Sequence, residues 1–69
     1  MKKIDARGLS CPEPVLLIRE AMKSGDESYI MVTDNHAARE NVTRYAEHEG
    51  YKVSVSENAG EYTMEINRR

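Results

Sequence analysis

The sequence predicts an α+β fold: a two-layer α/β sandwich in the order β-α-β-α-β-β, with a four-stranded mixed sheet and both helices on one face. Four segments alternate or run apolar at strand length, and two segments carry apolar residues at helical spacing. Gly8, Gly25, Gly50 and Gly60 fall between these segments as punctuation. Three of the four strand segments have one apolar and one polar face, so only one side of the sheet can be covered, and both helices belong there.

The first strand is expected over residues 3–7, with Ile4 and Ala6 on one face and Lys3, Asp5 and Arg7 on the other. Gly8-Leu9-Ser10 reads as a loop. A helix begins near Pro12, because proline at the first helical positions has no N–H to leave unpaired. Val15, Leu16, Leu17, Ile18, Ala21 and Met22 give it a wide apolar face, with Arg19, Glu20 and Lys23 opposite and Gly25 as its stop. The second strand covers residues 28–33 and is apolar almost throughout, which suits a central position. Asp34 or Asn35 caps the second helix, whose buried stripe is Ala38, Val42, Tyr45 and Ala46, and Gly50 ends it. Tyr51, Val53 and Val55 alternate with Lys52, Ser54 and Ser56 in a third strand. A turn over Asn58-Ala59-Gly60 follows. Tyr62, Met64 and Ile66 alternate with Thr63, Glu65 and Asn67 in a fourth, so the last two strands form a hairpin.

With 69 residues, positions 1–69 are expected to form a single domain with a thin core and no deep cavity, which places any chemistry at the surface. The single cysteine excludes an internal disulfide and points to a reducing compartment. Two histidines without a cysteine pair argue against structural zinc, and no metal or cofactor is expected. Met1-Lys2-Lys3 leads straight into a strand-like segment, so no signal peptide is expected. No apolar run approaches the roughly 20 residues of a membrane helix. The expected setting is cytoplasmic, away from membranes, as a monomer. The net charge of −2 argues against nucleic acid as a direct partner, and Arg68-Arg69 is too short for a binding tail.

Cys11 is the candidate catalytic residue. Pro12 and Pro14 favour a helix start immediately after it, and a helix start carries unpaired N–H groups and about half a positive charge. Such a site favours a thiolate over a thiol, and would favour a persulfide anion likewise. Pro12 and Pro14 remove two donors, leaving the sulfur with few direct hydrogen bonds, and Arg7 would add positive charge if the Gly8-Leu9-Ser10 loop folds back. The competing structural reading is a small buried cysteine with no chemistry. Other thiol chemistries fit less well. A disulfide oxidoreductase needs a second cysteine where Pro14 stands, and a cysteine hydrolase needs a histidine base. Of the two histidines, His36 at the start of the second helix is the one placed to approach the loop end of the sheet. His48 lies at the far end of that helix, and both read as surface residues.

The stretch Asp5-Ala6-Arg7-Gly8-Leu9-Ser10-Cys11-Pro12-Glu13-Pro14 resembles the signature of the TusA/SirA family of small sulfur-transfer proteins, Asp-x-x-Gly-x-x-Cys-Pro-x-Pro. The resemblance extends over essentially the whole chain. It implies that Cys11 accepts sulfane sulfur as a persulfide from a cysteine desulfurase or another donor and passes it to an acceptor protein. It further implies that Pro12 and Pro14 set the helix start, with Glu13 between them, and that Asp5 and Gly8 shape the entry from strand to loop. Asp34-Asn35-His36-Ala37-Ala38-Arg39-Glu40-Asn41-Val42 followed by Gly50-Tyr51 resembles the N-terminal domain of YedF-type proteins, some of them linked by name to selenium metabolism. There the module is often followed by a DsrE-like domain, which leaves the chain either free-standing or one part of a longer protein.

Weaker signals read as surface. Asn41-Val42-Thr43 matches a glycosylation sequon but falls inside a predicted helix. Glu47, Glu49, Glu57, Glu61 and Glu65 form an acidic set that is either solvated or steers a partner. Two alternatives to the sulfur carrier stay open: a non-enzymatic regulatory or interaction module with a structural cysteine, and a selenium- or redox-responsive thiol protein.

Overall fold

Pairing of the strand segments builds the predicted mixed sheet. The computed structural model describes residues 2–69. Its elements run β1 (Lys2–Asp5), α1 (Glu13–Met22), β2 (Ser28–Thr33), α2 (His36–His48), β3 (Tyr51–Asn58) and β4 (Glu61–Arg68). The strand order is β1-β2-β4-β3. β1 lies parallel to β2, β2 antiparallel to β4, and β3 and β4 form the expected hairpin. β2 therefore occupies the interior position that its unbroken apolar run anticipates, and β1 and β3 are the outer strands.

The register puts Tyr29 opposite Ile66 and Met31 opposite Met64. These four side chains are buried beneath Ile18 and Ala21 of α1 and Ala38, Val42 and Ala46 of α2. Tyr51 closes one end, its ring edge-on to Tyr29 with centroids 5.9 Å apart. Ile30 and Val32 point to the helix-free face and are half-buried there, flanked across the strands by Lys3 and Glu65 for Ile30 and by Asp5 and Thr63 for Val32. Long polar side chains can shield an apolar neighbour with their stems while their heads stay wet.

Four expectations are refined. β1 ends at Asp5 rather than at residue 7, because the Arg7 N–H turns back onto the Asp5 carboxylate at 3.1 Å and Gly8 adopts φ +78°. The apolar face of α1 is narrower than its composition suggests: Pro14, Ile18 and Ala21 form the buried stripe, whereas Leu16 and Leu17 are 50% and 37% exposed. Residue 16 falls opposite the stripe of 14, 18 and 21, whereas 17, three positions beyond 14, lies at its edge. β3 extends to Asn58, so the hairpin closes on only two residues, Ala59 and Gly60, both at positive φ (53° and 82°). A two-residue turn of that hand matches the twist of the strands it joins. Of the two proposed caps for α2, Asn35 performs the role, its side-chain oxygen accepting the Ala38 N–H at 2.9 Å.

Candidate functional site

The loop from β1 to α1 is held at several points, and Cys11 sits at its end. The Asp5 carboxylate receives the Arg7 side chain through Nε and Nη2, each at 3.0 Å, in addition to the Arg7 backbone N–H. These hydrogen bonds hold the Asp5 carboxyl well below the usual carboxylate range, at about 2, and raise the Arg7 guanidinium in turn. Gly8 then donates its N–H to the Asp34 carboxylate at 3.1 Å, and the Leu9 N–H reaches the Ala6 carbonyl at 3.3 Å. Asp34, the other cap candidate for α2, is thus spent on the Cys11 loop instead.

Pro12 is the N-cap of α1 and Pro14 occupies its first turn, buried, as the paired prolines imply. The Cys11–Pro12 peptide is cis. The Glu13 N–H, the first that could face a ligand, is spent on the Ser10 carbonyl at 3.0 Å, and the Leu16 N–H bonds the Pro12 carbonyl at 3.0 Å. Glu13 itself is exposed and is the acidic residue of the first turn.

Cys11 is exposed, not packed into the core. Its sulfur accepts a hydrogen bond from the side-chain amide of Asn41, Nδ2 to Sγ 3.2 Å. That donor comes from the middle of α2, 30 positions along the chain. The two residues share a surface groove of about 640 Å³ between the start of α1 and α2, with Pro12, Val15, Arg44 and Tyr45 on its walls and His48 and Glu49 further along. Another concavity on α2, about 410 Å³ and lined by Arg39, Glu40, Thr43 and Val55 among others, contains no cysteine.

Two expectations about the surroundings of Cys11 are corrected. Arg7 does not lend its charge to the sulfur: its guanidinium is committed to Asp5 and, at 3.4 Å, to Glu61 of the hairpin. His36 is not the histidine of this region. Its ring contacts Arg39 at 2.8 Å and stands edge-on to Tyr62, whereas His48 lines the groove. The hydrogen bond to the Cys11 sulfur comes from Asn41, while the His48 ring contacts the Glu49 carboxylate at 3.4 Å. Asn41 is the functional neighbour that sequence reading overlooked. The available signal was its place on α2 between buried Ala38 and Val42, three residues beyond one and next to the other, which turns a polar side chain toward α1.

Among the described residues, no group of three or more His, Cys, Asp and Glu side chains comes together to hold a metal ion. No helix of the described residues is long and apolar enough to cross a membrane.

The arrangement is therefore an accessible sulfur at a helix start, with one amide donor and an adjoining groove. A family model described as Sulfurtransferase TusA matches residues 2–68. The chain belongs to the TusA family. A protein of Methanocaldococcus jannaschii named as a candidate sulfur carrier protein is 41% identical over 59 residues, which cover 83% of this chain and 79% of that protein. The crystal structure of a SirA-like protein from Desulfitobacterium hafniense matches with a TM-score of 0.87 at 30% identity, covering 97% of this chain and 96% of that one. The TusA/SirA resemblance and the sandwich fold are thereby borne out. A TusA protein acts as a sulfur carrier, which requires a donor that loads it and an acceptor that unloads it.

Proposed function

We propose that residues 1–69 act as one sulfur-carrier unit in which Cys11 bears sulfane sulfur as a persulfide. The observation that carries this reading is the exposed Cys11 sulfur at the start of α1, accepting a hydrogen bond from Asn41. In loading, the Cys11 thiolate attacks the outer sulfur of a donor persulfide, such as that formed on a cysteine desulfurase. A new S–S bond forms at Cys11, the donor's S–S bond breaks, and the donor cysteine leaves as a thiolate. The persulfide proton stays with the transferred sulfur or passes to the leaving thiolate, and no external oxidant or reductant is consumed. In unloading, an acceptor thiolate attacks the outer sulfur on Cys11 by the same step in reverse roles. Asp5 and Gly8 position the loop through Arg7 and Asp34, and Pro12, Glu13 and Pro14 set the helix start beneath the sulfur. The exposure of Cys11 supports this reading over a purely structural cysteine.

The test is direct. The purified protein is incubated with a cysteine desulfurase and cysteine, and its intact mass is read with and without reductant. A reducible gain of one sulfur atom on the wild type, absent from Cys11→Ser, is the expected result. No gain with a desulfurase or with small-molecule persulfides would overturn the assignment of Cys11.

A further inference from the structure

We infer that Arg44 is a positioning residue for Cys11, acting through the Asn41 amide rather than on the sulfur directly. The inference deepens the reading of Cys11 as the sulfur-bearing residue and rests on it for its biological meaning, though not for its test. Arg44 Nη1 donates to Asn41 Oδ1 at 3.1 Å, and Asn41 Nδ2 donates to Cys11 Sγ at 3.2 Å. Asn41 and Arg44 stand three residues apart on α2, so their side chains share a helix face.

The chemistry of the two groups fixes the direction of the relay. A guanidinium has only donors, so the end of the amide that faces Arg44 must be its oxygen. That leaves the NH2 to face the sulfur. An NH2 offers only hydrogens, so the sulfur must accept, which a thiolate or persulfide anion does well and a thiol does weakly. An amide released from Arg44 is free to turn over and present its oxygen to Cys11, which takes the N–H donor away from the sulfur. Arg44 is also the arginine suited to the task. Arg7 is held by Asp5 and Glu61, and Arg39 by Glu40 and the Tyr62 ring, whereas among the described residues Arg44 has no carboxylate at ion-pair distance. Its hydrogen bonding goes to the amide.

The relay is tested by the rate at which Cys11 reacts with iodoacetamide at neutral pH, with thermal unfolding confirming that each variant folds. Asn41→Ala and Arg44→Ala each slow the reaction about threefold, the balance between a lost hydrogen bond to an anion and the higher intrinsic reactivity of a less stabilised thiolate. Asn41→Asp slows it further, because it turns carboxylate oxygen toward sulfur. Arg44→Lys keeps a donor for Oδ1 and recovers most of the rate. The deciding variant is Arg44→Ala in an Asn41→Ala background, which adds no further loss if Arg44 acts through the amide. An equal loss in both backgrounds would assign Arg44 a through-space charge effect and overturn the relay, as would wild-type reactivity in Asn41→Ala. Should Asn41→Ala fail to fold, Asn41→Ser replaces it in the same comparison. Sulfur loading, measured separately by mass, reports on the carrier role: a relay that behaves as expected in a chain that never gains sulfur overturns the persulfide assignment and leaves the relay standing.

Discussion

Asp34 Oδ1 accepts the Gly8 N–H at 3.1 Å, and Oδ2 lies 3.3 Å from the same nitrogen, joining positions 26 apart in sequence. The contact ties the turn after β1 to the end of β2, and so anchors the segment that delivers Cys11. Both residues are exposed and water can replace the lost acceptor, so its removal should cost no more than about 1 kcal/mol. Asp34→Ala is expected to lower the urea midpoint and to speed exchange of the Gly8 amide, with Asp34→Asn retaining most of both. Unchanged exchange at Gly8 in Asp34→Ala would remove this residue from the account of the loop.

The pairing of Asp5 with Arg7 has a definite pH signature. Hydrogen bonds from the Arg7 side chain and backbone lower the Asp5 carboxyl from 3.8 to about 2. A carboxyl depressed in the folded state contributes its stabilisation above its unfolded value and loses it as pH falls through the folded one. The contribution is therefore intact above about pH 4 and disappears between there and about pH 2. Both side chains are well exposed, so the effect on global stability is small. The sharper readout is the Asp5 carboxyl carbon followed by NMR, which should titrate near pH 2 in the wild type and near the ordinary aspartate value in Arg7→Gln.

Ala59 holds φ 53° in the hairpin turn. An alanine in that region is strained by about 1 kcal/mol, whereas asparagine tolerates it. Ala59→Asn should raise stability by roughly 0.5–1 kcal/mol, which for a domain of this size lifts the thermal midpoint by several degrees. A midpoint that falls would show that the turn adopts another conformation.

α1 separates buried from exposed apolar residues within one turn. Ile18 is fully buried, and Leu16 is 50% exposed. Ile18→Ala should cost about 2–4 kcal/mol through lost burial and a residual cavity. Leu16→Gln should change stability by no more than about 0.5 kcal/mol. Denaturant unfolding distinguishes the two, and a large loss at Leu16 would require a buried position for it.

Strand alternation and helix stripes made the element order readable, because each rests on neighbours within a few residues. The surroundings of Cys11 divide along the same line. The prolines, the loop and the exposure of the thiol follow from local sequence. Asn41 does not, because its approach depends on how α2 lies against α1, a packing outcome set by Ile18, Val42 and the sheet beneath them. Leu16 and Leu17 show the converse error, in which apolar composition widened a face that geometry keeps narrow. Asp34 and Asn35 looked interchangeable as caps. Only the position of Gly8 in space separates their roles. His36 and His48 exchanged places for the same reason: chain position along α2 does not reveal which flank of the helix faces α1.

The outer strands of the sheet carry one more consequence. Among the described residues, β1 and β3 each leave one flank of backbone donors and acceptors without a neighbouring strand, an invitation for copies of the molecule to stack rim against rim. Lys2 and Lys3 stand on one of these rims and Lys52 and Glu57 on the other, all exposed. Fixed charge along both margins disfavours fibre-like growth by stacking of sheet edges.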